Sequence, residues 1–125
     1  MSKNIWGPKM WNELHSFTFL YPENPTEKDK SKVITYFNNL KIPCQSCQKN
    51  YNKNLLQNPV EYHVENKEAL KKWLVDIHNN VNLDTGKKYI PYEEVIYKQE
   101  SISNLWLGIP MIILSLIIIK KYRLI

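Results

Sequence analysis

Residues 44–58 read CQSCQKNYNKNLLQN, and their two cysteines are the only ones in the chain. Pro43 precedes the stretch and Pro59 closes it. A residue before proline is pushed out of the helical region, so the spacing predicts a single helix that stops before Pro59, with the cysteines at its start. A thioredoxin-like C-x-x-C follows a buried strand within a βαβ unit, yet no convincing period-two strand pattern occurs anywhere in the chain.

The flanking segments read as helices too. Pro8 stands where a first helical position would be, and MWNELHSFTFLY (residues 10–21) sets Met10, Leu14, Phe17 and Tyr21 on one stripe, predicting a helix that ends near Pro22. Thr26 is a fitting cap for a second helix, with Glu27 and Asp29 in its first turn and an apolar face of Val33, Ile34, Phe37 and Leu40. Asn66 is suited to cap a fourth, striped by Leu70, Leu74, Ile77 and Val81 and ending near Gly86. A fifth starts around Pro91 with Tyr92, Val95 and Ile96. The expected class is all-α, a four-helix bundle plus a short fifth helix. Internal repeats and low-complexity segments are absent.

The length of 125 residues suits one domain and therefore one site. Lys and Arg number 17 against 12 acids, but Lys120, Lys121 and Arg123 crowd the end, and without them the balance is 14 to 12. A nucleic-acid face needs basic residues clustered in the folded part, so no nucleic-acid partner is expected. The N-terminus shows neither an apolar h-region nor a small-residue cleavage site, so no signal peptide is expected. At the other end LWLGIPMIILSLIII, residues 105–119, carries no charge and runs into KKYR. That run is short for a hydrocarbon core about 30 Å thick, but the mild residues 101–104 lengthen it. A helix apolar on every face needs surrounding protein that so small a domain can hardly supply. The expected organisation is a domain over residues 1–100 and, over 101–125, a C-terminal transmembrane helix with a basic tail.

What chemistry can the C-x-x-C perform? A zinc site needs four ligands as a rule, and only the scattered His15, His63 and His78 remain, with no second C-x-x-C and no H-x3–5-H. A zinc-stabilised, membrane-anchored interaction module stays as the alternative reading. Haem attachment wants His after the second cysteine, where Gln48 stands. A thiol at a helix N-terminus faces the positive end of the macrodipole, which favours the reactive thiolate. Polar neighbours Gln45, Ser46 and Gln48 argue against two cysteines that are merely buried. A redox dithiol with no further cysteine must pass its electrons to a partner or a bound cofactor, and flavin is the natural candidate.

Two more stretches supply places for one. In WGPKMWNELH, residues 6–15, Trp11 and His15 lie one helical turn apart on one face; in HNNVNLDTGKK, residues 78–88, His78 and Asn82 do the same. Aromatic and imidazole planes can sandwich an adenine, Asn offers both donor and acceptor, and Lys87 and Lys88 offer charge for a pyrophosphate. Taken with P-C-x-x-C, the order W-x-x-L-H, P-C-x-x-C, H-N-x-V-N and then Lys resembles the Erv/ALR family of FAD-linked sulfhydryl oxidases, from Trp6 to about Tyr97. The chain looks most like the short versions of large cytoplasmic DNA viruses.

The resemblance implies a helical bundle that holds FAD, usually as a homodimer. It puts flavin contacts on Gly7, Trp11, His15, His78, Asn79, Val81, Asn82, Lys87 and Lys88, with Tyr51 beside the ring and no metal. It makes Cys47 the flavin-proximal thiol and Cys44 the outward one that protein dithiols, or a small redox partner, attack through a mixed disulfide. The electrons end on molecular oxygen as hydrogen peroxide. Longer members carry shuttle or structural cysteines that are missing here, so neither an internal shuttle nor an inter-subunit disulfide is expected. The absent signal peptide and the viral resemblance favour a domain facing the cytoplasm on an intracellular or virion membrane, where it forms disulfides in a viral pathway for virion proteins, in a compartment that normally reduces them.

Overall fold

The computed structural model describes residues 3–107, with side chains to residue 101. Among these there is no strand, and the helices run in the order α1 Lys3–Phe19, α2 Glu27–Asn38, α3 Gln45–Gln57, α4 Lys67–Asp84 and α5 Tyr92–Leu107, with a 3-10 turn Val60–His63 ahead of α4. The all-α expectation holds. Most of the expected membrane anchor, together with its basic tail, lies outside the described residues; among those described, no helix is long and apolar enough to cross a membrane.

Local chemistry accounts for most of the boundaries. Thr26 and Asp29 form a reciprocal capping box at the head of α2. The Asn66 side chain accepts from the Ala69 N–H at 2.8 Å and starts α4. At the far end of α4 the Lys87 N–H reaches the Asn82 carbonyl at 2.7 Å and the Gly86 N–H the Leu83 carbonyl at 3.3 Å. This is a Schellman closure, and it needs a left-handed residue, here Gly86 at φ 74°. Two expectations need correction. Pro8 lies inside α1, which begins at Lys3. A proline there removes its own N–H from the ladder and crowds the carbonyl four residues back, yet α1, which packs on α4, continues on both sides of it. The fifth helix is not short but 16 residues long, with Glu93 and Glu94 in its first turn.

The chain divides into two units at Tyr92/Glu93. In the first, α4 is the central element, and both α1 and α3 pack on it. Phe37, Val60, Leu70, Leu74 and Ile77 are fully buried, with Trp73 and Tyr51 at 1 % exposure. The Phe37 ring meets Trp73 edge-on at 5.0 Å. Each such side chain contributes about 1.5–3 kcal/mol by leaving water. The Trp73 indole N–H donates to the Asn58 carbonyl at 2.9 Å, so the core's largest ring also ties off the end of α3. The second unit contributes most of α5.

Candidate active site

The loop before α3 is pinned by Gln48. Its amide nitrogen donates to the Leu40 carbonyl at 3.0 Å, and its side-chain oxygen accepts from the Ile42 N–H at 2.8 Å. Pro43 then leads into Cys44, which is the N-cap of α3: extended at φ −160°, its sulfur accepts from the Cys47 N–H at 3.3 Å. Ser46 Oγ also lies 3.3 Å from that sulfur. Cys44 and Cys47 are joined as a disulfide with Cα atoms 5.1 Å apart, and both are half-buried. The two sulfurs are thus bonded to each other at the positive end of a helix. His63, one of the histidines weighed as a metal ligand, is instead 2.8 Å from the Asn58 side-chain oxygen.

From the head of α3 the chain is bolted to α4 by Asp84. Its carboxylate takes Lys53 Nζ at 3.0 Å, Asn50 Nδ2 at 3.3 Å and Asn54 Nδ2 at 3.4 Å. The Lys53 ammonium, with the two amides assisting, holds the Asp84 carboxyl below the usual range. Neither Gln48 nor this cluster figured as functional in the sequence reading. The only prior signal was an unusual density of Asn and Gln on a helix that carries the cysteines.

A second cluster forms where α1 meets α4. The Trp11 indole stacks on the His78 imidazole, centroids 3.8 Å apart and planes 4° from parallel. His15 Nε2 lies 2.9 Å from His78 Nδ1, so one ring donates and the other accepts. The expected sandwich is therefore not built. Planes in mutual contact leave no gap for a third ring, so a flat ligand would stack on an outer face of the pair. Gly7, one turn before Trp11, is half-buried, and a Cβ placed there meets nothing within 4 Å.

The other predicted positions divide. Val81 is half-buried; Asn82 is buried, and its carbonyl takes the Lys87 N–H. Lys87 and Lys88 are exposed on the loop that follows α4. Asn79 is buried and spends its amide on the main chain of Ile90, donating at 2.7 Å and accepting at 2.7 Å. Tyr51 sits in the core and donates its hydroxyl to the Phe37 carbonyl at 2.6 Å. Burial pushes that phenol well above its ordinary range.

An all-helical bundle with a disulfide capping its third helix and a stacked aromatic and imidazole cluster on the adjacent helix pair is a redox protein of helical type. The chain belongs to the Erv1/Alr family, which it matches over residues 8–101. It is 42% identical over 99 residues, 77% of this chain and 69% of the relative, to a probable FAD-linked sulfhydryl oxidase of Acanthamoeba polyphaga mimivirus. It is 32% identical over 107 residues, 82% of this chain and 88% of the relative, to an FAD-linked sulfhydryl oxidase of African swine fever virus. Among solved structures it is similar to the FAD binding domain of Erv1 from Saccharomyces cerevisiae, with TM-score 0.74 and 27% identity over 81% of this chain and 96% of that one.

Proposed function

We propose that this chain is an FAD-linked thiol oxidase that makes disulfides in protein dithiols and delivers the electrons to oxygen. The observation that carries the reading is the Cys44–Cys47 disulfide at the head of α3 within an Erv1/Alr fold. The residues present suit FAD. The Trp11–His78 pair offers a flat half-buried face, Gly7 leaves open space beside α1, and Lys87 and Lys88 supply exposed positive charge. His15, Asn79, Val81 and Asn82 complete the proposed set, with Tyr51 behind it in the core.

The chain's own part of the reaction is thiol–disulfide exchange. A substrate thiolate attacks Cys44 Sγ; the Cys44–Cys47 bond breaks, and its electron pair leaves on Cys47 as a thiolate. The second substrate thiolate then attacks the substrate sulfur of the mixed disulfide and expels Cys44. The better stabilised that leaving thiolate, the faster the step. At the N-cap it faces the Cys47 N–H, the Ser46 hydroxyl and the helix dipole, all of which favour negative charge. The substrate is left with a disulfide and the enzyme with a dithiol, two electrons and two protons richer. FAD held by these residues would supply the two-electron acceptor for that dithiol and the route from it to oxygen and hydrogen peroxide.

We read Cys44 as the outward thiol and Cys47 as the flavin-proximal one, by the family resemblance. The same resemblance supports a homodimer, the uncharged run 105–119 supports a single C-terminal anchor, and relatives from viruses support work on virion proteins by a domain facing the cytoplasm. The test is the visible spectrum of the full chain before and after anaerobic addition of a dithiol. Flavin bands that bleach, return with air, and stay unbleached in Cys47→Ser are expected. A folded, colourless protein carrying one zinc per chain would overturn the reading in favour of the interaction module.

A further inference from the structure

After Asp84 the chain turns back on α4. The Schellman closure fixes the near end of the returning segment, with the Lys87 N–H on the Asn82 carbonyl at 2.7 Å. The Asn79 amide fixes the far end by pairing with both polar groups of Ile90 at 2.7 Å each, as a neighbouring β-strand residue would. Asn79 is five residues upstream of Asp84, so at about 1.5 Å per residue the loop retreats roughly 7–8 Å along the helix. It ends level with His78, the imidazole stacked on Trp11. Lys87 is itself the near pin, and Lys88 follows it on the short span to Ile90.

Asn79 is 4 % exposed, and its amide is committed at both ends to main chain. We infer that Asn79 is a positioning residue, a latch that holds the Lys87–Lys88 segment against α4 so that the two ammoniums meet a dinucleotide's diphosphate. This inference rests on the flavin reading and gives one of its proposed contact residues an indirect role. Without the latch the lysines keep their charge but sample a wider loop ensemble. The diphosphate must then order them on binding, and affinity falls by the ordering cost.

The test is a double-mutant cycle on FAD affinity, measured by flavin fluorescence on full chain stripped of cofactor, across a range of salt concentrations. Asn79→Ala is expected to weaken FAD about tenfold and to flatten the salt dependence toward that of the Lys87→Ala/Lys88→Ala variant. In the triple variant its effect should largely vanish, because the groups it positions are gone. Hydrogen exchange at the Ile90 amide, read without FAD, should accelerate at least tenfold in Asn79→Ala. If Asn79→Ala fails to fold, Ile90→Pro removes one arm of the latch without touching α4, and the same loss with the same flattened salt slope is expected. Multiplicative effects in the triple variant, or an unchanged salt slope in Asn79→Ala or Ile90→Pro, would overturn the latch while leaving FAD binding intact. A wild-type chain that binds no FAD would overturn the flavin reading, and the latch with it.

Discussion

Tyr51→Phe removes one oxygen atom and separates a structural role for this residue from a flavin contact. The hydroxyl donates at 2.6 Å to the Phe37 carbonyl, in the last turn of α2. The final four carbonyls of a helix have no intrahelical partner, so Tyr51 caps one of them from another helix. Removing the donor forfeits a net bond and leaves a buried acceptor without it, which costs about 1–3 kcal/mol. For a domain of this size each kcal/mol lowers Tm by about 4–8 °C, so a mid-range cost of about 2 kcal/mol predicts a fall of roughly 8–16 °C. The ring itself stays, and with it the core packing and any ring-face contact. Calorimetry of wild type and variant, both with and without FAD, is the assay. A linked pH effect accompanies it. Burial raises the folded phenol, with the nearby Tyr36 phenol adding to it. The unfolded state therefore releases its proton first: the contribution is complete below about pH 10 and is lost as pH climbs from there toward the folded value. The variant should lose less stability than wild type on the alkaline side. A Tm within 2 °C of wild type would refute the cap, as would a tenfold loss of FAD affinity with Tm unchanged, which would move the hydroxyl to the flavin.

Three further outcomes are expected. Gly86→Ala places a Cβ at φ 74° and should destabilise by about 1–2 kcal/mol in urea unfolding, while Thr85→Ala, outside the left-handed position, should cost less. Cys44→Ser and Cys44→Ala lose the same disulfide, but only serine retains an oxygen cap for the Cys47 N–H; the serine variant should be the more stable by about 0.5–2 kcal/mol, and equal stabilities would deny the cap. Asp84 has a depressed folded carboxyl, chiefly through Lys53, so its contribution is present above the ordinary value near 3.9 and disappears as pH falls through it toward the folded value. Asp84→Asn should therefore be less stable than wild type at pH 7 and match it at pH 2; a gap that persists at pH 2 would show that the carboxylate's charge is not what binds α3 to α4.

The residues that proved legible in the sequence are those whose partners lie within a helical turn. Thr26 meets Asp29, Asn66 meets Ala69, and Gly86 closes onto Leu83, so the start of α2 and both ends of α4 could be placed from spacing alone. Pro8 misled because a rule for isolated helix ends was applied to α1, which is supported from outside by packing on α4. The site is written mainly in the other kind of contact. Spacing put Trp11 and His15 on one face and His78 and Asn82 on another, but it carried no information on how near those faces come. They come near enough for the rings to touch, and the expected sandwich became a stack. Likewise, the family resemblance puts Asn79 and Tyr51 among the flavin contacts, and spacing says nothing of what else their side chains hold. Both proved to satisfy main-chain groups of another segment, Ile90 and Phe37, which no short-range pattern announces. A buried Asn or Tyr on an otherwise apolar stripe must bond to something. In a chain of linked helices the nearest demand is an unpaired carbonyl or N–H at a helix end or in the loop beyond it. Ligand contact is the less economical reading until those ends have been accounted for. By that criterion Trp11 stands apart from Asn79 and Tyr51: its half-buried indole is stacked on His78 and closes no main-chain group of another segment.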